Sequence, residues 1–370
     1  MRREFLDLIC CPACGAALEL RSPGERDGEV WEGTLACAAC AVEYEIRQGM
    51  PHLYVDDEAW APKAREAQGW VELHKNMGIY EQGEDAVDLK IPYYPEEPWT
   101  RVSHSFDIAL ERLNLTGEET ILDLGAGRGW AAKHFALNGC RAVALDITPD
   151  EQVGLGRGRA LMEDAGVYFE RVIGDGERLP FQPESFDIVF CAASLHHSSN
   201  LPLLLQNASD VLKEGGRLCA INEPSISVLE QEEHVLAQSA SPELELGINE
   251  KRPNFLEYRQ ALVENDLQIS EAFPVPAYEM DEQTVREWAQ DLGVLFPRLT
   301  LHDPRRTVYR LMRFVARRGQ ALLRRRWPST NGAAPRDERQ RLLYNVLLWT
   351  GNELFLVAEK RTRNPNHSSR

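Results

Sequence analysis

No run of apolar residues in this chain approaches the roughly eighteen needed to cross a bilayer. A secretory signal is also lacking: the charged start MRREFLDLICCPACG breaks its short apolar stretch at Asp7, so a cytoplasmic protein is expected. There is no internal repeat. Basic residues are in the minority, 41 Lys and Arg against 58 Asp and Glu, for a net charge of −17. That balance disfavours a general nucleic-acid binder, because neutralising phosphates needs a basic surface. Without a secretory signal, closely paired cysteines suggest metal ligation rather than disulfides.

What is present is the composition of a globular protein, 370 residues at 43% hydrophobic and 27% charged. The length allows two domains, or one large α/β domain with appendages. Residues 1–55 read as a small cysteine-bearing module and 56–100 as a connector with helical patches. An α/β core is expected over 101–280, an Arg-rich helical insertion over 281–345, the last core strand within 346–360 and a disordered tail over 361–370. In the core, apolar runs such as TILDLG, RAVALDI, FDIVFCAAS and RLCAINEP alternate with amphipathic stretches. Alternation of this kind implies a parallel sheet with right-handed crossovers.

The stretch Leu122–Trp130, LDLGAGRGW, is a glycine-rich turn after an apolar run. The nicotinamide-dinucleotide fingerprint G-x-G-x-x-G would need glycine at position 130, which is Trp130. The pattern is instead Asp-x-Gly-x-Gly-x-Gly, with Asp123, Gly125, Ala126, Gly127 and Gly129. A carboxylate before the glycines suits a cationic amino-acid moiety better than a phosphate. Asp146, at the end of VALDI, can hold ribose hydroxyls, followed by Ile147. Asp175, with Gly176 and Glu177 in GDGERLPF, is placed to accept from an adenine amino group.

Taken in order, ILDLGAGRGW, VALDIT, GDGERLPF, SFDIVFCAASLHHSSN and LKEGGRLCAINEP resemble the motifs of class I S-adenosylmethionine (SAM)-dependent methyltransferases. The nearest branch is the one with quinone-biosynthesis-like and other small-molecule enzymes, and the resemblance covers roughly residues 100–225. It implies a Rossmann-like, doubly wound seven-stranded sheet whose last strand is antiparallel. It also implies SAM as cofactor, with Asp123 and Gly125–Gly129 at the methionine part, Asp146 at the ribose and Asp175 with Gly176 at the adenine.

Cys11, Cys14, Cys37 and Cys40 form two Cys-x-x-Cys knuckles, the pattern of a tetrahedral Zn²⁺ site. Cys10 is left over. Residues 4–54 resemble the short zinc-ribbon proteins that partner methyltransferases of tRNA and translation factors. Four thiolates leave no open coordination position, so the zinc is expected to be structural.

Methyl transfer from a sulfonium depends chiefly on positioning, and a base is needed only if the acceptor is protonated. His196 and His197 follow the fourth core strand, where one could act as base or both could be packing features. Glu223, after the fifth, could bind substrate or cap a turn. From Pro297 to Leu342, thirteen Arg stand against three acids, a local +10, leaving −17 − 10 = −27 elsewhere. This basic amphipathic stretch reads as a packed helical cap, as a membrane-surface helix that would place the enzyme at the inner membrane face, or as an RNA-binding face. The expected acceptor is a small molecule, a glycan or a lipid-linked intermediate. RNA or protein as acceptor, and a non-catalytic cofactor-binding partner, are the alternatives.

Overall fold

A computed structural model describes residues 1–77, 85–239, 242–291 and 338–362. The Arg-rich stretch from 297 to 337 and the tail beyond 362 lie outside the described residues.

Seven strands form the expected core: β5 (Thr120–Leu124), β6 (Arg141–Asp146), β7 (Glu170–Gly174), β8 (Phe186–Ala192), β9 (Leu212–Glu223), β10 (Leu267–Pro274) and β11 (Leu354–Lys360). Their spatial order is β7-β6-β5-β8-β9-β11-β10. Strands β5 to β9 are mutually parallel, while β11 runs antiparallel to both β9 and β10. The apolar runs explain why: β7 is buried along its whole length, β8 nearly so and β9 from Leu218 to Glu223, as strands covered by helices on both faces must be. Successive connections leave β5 in opposite directions, towards β6 and then, after β7, towards β8. The C-terminal ends of β5 and β8 therefore open a crevice at a topological switch point.

The cysteine module contributes four more strands, β1 (Leu18–Arg26), β2 (Glu29–Cys37), β3 (Glu43–Arg47) and β4 (Met50–Leu53). They form an antiparallel meander. Strand β4 then pairs in parallel with β7, His52 opposite Ile173 and Leu53 opposite Gly174. The two parts thus share one eleven-stranded sheet. A second seam lies beside the first: Cys10 N donates to Pro180 O at 2.9 Å and Gln182 N to Leu8 O at 2.8 Å. Phe5, Ile9, Leu35 and Leu53 join Leu122, Val143, Val172 and Phe181 in a single hydrophobic cluster. The module is built onto the core through a sheet edge, an unpaired row of backbone groups that β4 covers.

Helix α1 (Trp60–Asn76) follows β4 directly, and α2 (Asp85–Lys90) and α3 (Trp99–Leu113) complete the run that the sequence suggested was a connector. In the core, α4 (Trp130–Leu137) starts from the glycine turn and α5 (Gly158–Ala165) precedes β7. Helix α6 (Leu201–Val211) begins at Asn200, whose side chain accepts from Leu203 N. After α7 (Glu232–Ser239) and α8 (Pro242–Glu245), α9 (Phe255–Glu264) opens on a capping box of Asn254 and Glu257. Helix α10 (Glu282–Asp291) starts the region read as an insertion. Helix Glu338–Thr350 runs across the expected boundary at 345, because apolar Leu342, Leu343, Val346, Leu347 and Trp349 are all buried on the core.

Candidate active site

A cavity of about 480 Å³ opens at the C-terminal ends of the central strands. Its walls include Gly125, Ala126, Gly127, Asp146, Ile147, Asp175, Gly176 and Glu177, so the loops after β5, β6 and β7 converge on one space. Gly129 sits behind the turn as the residue from which α4 starts, at φ +83°.

The turn is fixed from several sides. Gly125 N and Ala126 N both donate to Leu145 O, at 2.9 and 3.1 Å, and Ser194 Oγ donates to Leu124 O at 2.8 Å. Gly125 has φ +73°, and a Cβ there would lie 2.5 Å from Ser194 Cβ. The backbone at this point can be close to its neighbours only because it has no side chain.

Asp146 accepts from Gly127 N and Thr148 N, both at 2.8 Å, one on each carboxylate oxygen. Burial pushes its carboxyl upward, and these amides hold it back. Each oxygen keeps further acceptor capacity on the cavity wall, a suitable place for a ribose diol. Asp123 is placed differently from the expectation that it faces the ligand. It is 2% exposed and absent from the cavity wall, and its Oδ2 accepts from Ala132 N at 3.0 Å. It fastens the turn to the start of α4, and burial raises its carboxyl to about 7.

The largest difference from the sequence reading is α1. Lys63, Glu66, Trp70 and His74 all line the cavity. Their 3-4-4 spacing puts them on one helix face, and that periodicity was the available signal. Lys63 Nζ reaches Asp175 Oδ1 at 3.0 Å and Glu177 Oε1 at 2.9 Å. Burial opposes the Lys63 charge, but the two carboxylates outweigh it and raise its affinity for the proton. The acids read as adenine partners are thus also the anchor of α1. Asp88 of α2 pairs with Arg128 of the turn and, at 3.2 Å, with Arg157.

The two histidines separate. His196 is buried outside the cavity, its Nδ1 2.9 Å from Glu223 Oε2 and its Nε2 3.6 Å from Glu250 Oε2. Burial works against its charge, yet the two carboxylates push it up to about 9. Glu223 is fully buried and accepts from Ser194 N, Leu195 N and His196 N as well, so it caps the turn Leu195–His197 and does not meet the cavity. His197 does line the cavity. Its Nδ1 lies 2.7 Å from Asn249 O, and its ring meets Trp70 edge-on at 5.4 Å. Burial lowers it to about 4, so it is uncharged at neutral pH. Glu66, 3.7 Å from His197 Nδ1, is raised to about 7 by burial.

In the module, Cys11 and Cys40 sulfurs are 3.6 Å apart, Cys14 and Cys37 sulfurs 3.5 Å, and all four lie within 4.8 Å of one another. A tetrahedron with Zn–S near 2.3 Å has sulfurs about 3.8 Å apart. Tyr44 OH, 3.1 Å from Cys11 Sγ, adds an outer contact. The four thiols form a closed site suited to structural zinc, and Cys10 stands apart from it.

Fold and site together define an α/β domain with a cavity at the topological switch point of its sheet, joined to a four-cysteine module suited to zinc. Comparison with known proteins agrees part by part. Residues 122–220 match the methyltransferase domain family, and residues 2–49 match the Trm112p-like protein family. A demethylmenaquinone methyltransferase of Tropheryma whipplei is 30% identical over 155 residues, spanning 41% of this chain and 60% of its own length. A sarcosine/dimethylglycine N-methyltransferase of Aphanothece halophytica is 29% identical over 159 residues, 41% of this chain and 57% of its own. Among solved structures, the complex of the Haloferax volcanii Trm112 methyltransferase activator with a methyltransferase overlaps 83% of this chain and 100% of that one, at 20% identity and TM-score 0.44. The two matched segments follow one another in this chain, and it spans about 60% of the length of the first of these curated relatives.

Proposed function

We propose that this chain transfers the methyl group of SAM to a small-molecule acceptor held in the same cavity. One observation carries the reading: a single space is walled by the glycine turn, Asp146 and the Asp175–Glu177 loop, and also by Trp70 and His197. The first group fits an amino acid, a ribose and an adenine in sequence. The second leaves an acceptor next to the methyl. SAM supplies an activated methyl group. The chain's own residues orient the partners and exclude water, and good orientation alone can supply about 7–11 kcal/mol of a barrier.

The net charge of −17 supports a small molecule, a glycan or the head of a lipid-linked intermediate over a polyanion. The match of residues 2–49 to the Trm112p-like family favours a second reading, RNA or protein as acceptor. A non-catalytic cofactor-binding partner is the third. Among the described residues no helix is long and apolar enough to cross a membrane. Contact of the Arg-rich stretch with a membrane surface is a separate proposal, tested by cosedimentation with anionic vesicles.

The test is to incubate the purified chain with methyl-labelled SAM and a lysate of the source cell, then separate small-molecule, lipid, RNA and protein fractions. Label in the small-molecule or lipid fraction supports the reading. Label in RNA or protein replaces it with the second, and SAM binding without label in any fraction leaves the third.

A further inference from the structure

Among the described acids on the cavity wall, Glu66 is the one whose charge the chain leaves unanswered. Asp175 and Glu177 share Lys63, at 3.0 and 2.9 Å, Asp88 pairs with Arg128, and Asp146 takes the amides of Gly127 and Thr148. Glu66 lines the same cavity and is 6% exposed. His197 Nδ1 stands 3.7 Å from its Oε1 but gives its hydrogen to Asn249 O at 2.7 Å. That ring is uncharged at neutral pH, because burial lowers it to about 4. Burial, with the charge of Asp146 adding to it, raises the Glu66 carboxyl to about 7, against Lys63, the Asn249 amide and the Trp70 indole. Among the described residues none of these donors closes a hydrogen bond on it.

Two observations turn this carboxylate to the cavity. Lys63, Glu66, Trp70 and His74 share the helix face that meets the cavity, so the Glu66 side chain projects there. Ser198 Oγ is sealed off and unpaired, whereas the Glu66 oxygens are not sealed; uncovered by a hydrogen bond, they keep open surface. A charge in a buried space without a partner is costly, and a cation that enters the space answers it.

Building on the reading above, we infer that Glu66 is the counter-charge for a positive centre carried by a ligand, an onium group of sulfur or nitrogen. That chemistry has two sources, the sulfonium of SAM and the ammonium of an amine acceptor. A neutral donor such as a hydroxyl fills a hydrogen-bonding position and leaves the charge. Trp70, Trp99 and Trp130 on the same wall are indoles, the aromatic side chain that holds onium cations best. If the centre is the sulfonium, transfer removes its charge and Glu66 loses its partner, which favours exchange of the neutral product for fresh SAM. If it is an ammonium, Glu66 also receives a proton. An N–H bond breaks, its proton passing to Glu66 and its pair staying on nitrogen. That pair forms the bond to the methyl carbon, and the carbon–sulfur bond breaks with its own pair left on sulfur.

SAM and S-adenosylhomocysteine differ only by the methyl group and its positive charge. Calorimetric titration of the full chain and of Glu66→Gln with each of them reads the first source. Choline and its uncharged isostere dimethylbutanol, in which carbon replaces nitrogen, are titrated into the chain saturated with S-adenosylhomocysteine and read the second. The expected result is a loss that follows charge in at least one arm. For the sulfonium, Glu66→Gln weakens SAM by at least about tenfold and S-adenosylhomocysteine by less than about twofold. For an amine site, the parent prefers choline to the isostere by at least about tenfold, and Glu66→Gln abolishes the preference. Glu66→Asp keeps the charge and should keep part of either preference, an effect that a packing role would not produce. Where Glu66→Gln does not fold, the parent decides: equal affinity for SAM and S-adenosylhomocysteine, and for choline and its isostere, overturns the inference. An equal loss of SAM and S-adenosylhomocysteine in Glu66→Gln, without a choline preference in the parent, puts a neutral donor such as a ribose hydroxyl on Glu66 and also overturns it. So does unchanged binding throughout, and each of these leaves the proposed function intact. A parent chain that binds neither SAM nor S-adenosylhomocysteine overturns the proposed function itself, and the inference with it.

Discussion

Gly125 shows how narrowly single residues are constrained at this site. It combines φ +73° with a neighbour 2.5 Å from where a Cβ would sit. Gly125→Ala is expected to cost about 1–3 kcal/mol, read as a lower urea midpoint at constant slope. His196 makes a prediction about pH. Its proton affinity is raised to about 9 in the folded chain, facing Glu223, Glu250 and the ring of His197, against about 6.5 when unfolded. The folded state therefore binds more protons between those values. Its contribution to stability is complete below about pH 6.5 and is lost as pH rises through 9. His196→Gln should flatten the fall in unfolding free energy over that interval, and an unchanged slope would place the titrating group elsewhere. At this scale the sequence was informative about position and weak about direction. The spacing of the glycines and of Asp146 and Asp175 was readable because backbone turns have a residue code. The inward turn of the Asp123 carboxylate depends on the turn folding back to bring Ala132 N to it, and the split between His196 and His197 depends on Glu223 and Asn249, residues distant in sequence.

Helix α1 is the element that changes the account most. Its polar face was legible as a 3-4-4 spacing, but without the sheet there is nothing to say what that face meets. Lys63 joins it to Asp175 and Glu177, and its side chain is 11% exposed. Lys63→Met should leave those two carboxylates without their cation and destabilise the protein by about 1–3 kcal/mol in chemical denaturation. A variant as stable as the parent would show that α1 is held by its apolar contacts alone. The core strands were recoverable because buried parallel strands are continuous apolar runs. The pairing of β4 with β7 was not recoverable, since a four-residue strand carries no mark of its partner.

Among the described residues all the named strands belong to one sheet, with the four-cysteine site at one end and the cavity near the middle. Zinc would fix the meander, β4 carries the meander onto β7, and α1 follows β4 and lines the cavity. Cys14→Ser should therefore lower zinc below one equivalent per chain by elemental analysis. It should also lower the melting temperature of the whole protein in one transition, because the hydrophobic cluster is shared. Two separate transitions would mean that module and core fold independently.

The most direct measurement is a calorimetric titration of the full chain with S-adenosylhomocysteine. If the loops after β5, β6 and β7 form a SAM site, the titration saturates at one molecule per chain. A chain that folds, holds its zinc and gives no saturable binding would contradict the central claim.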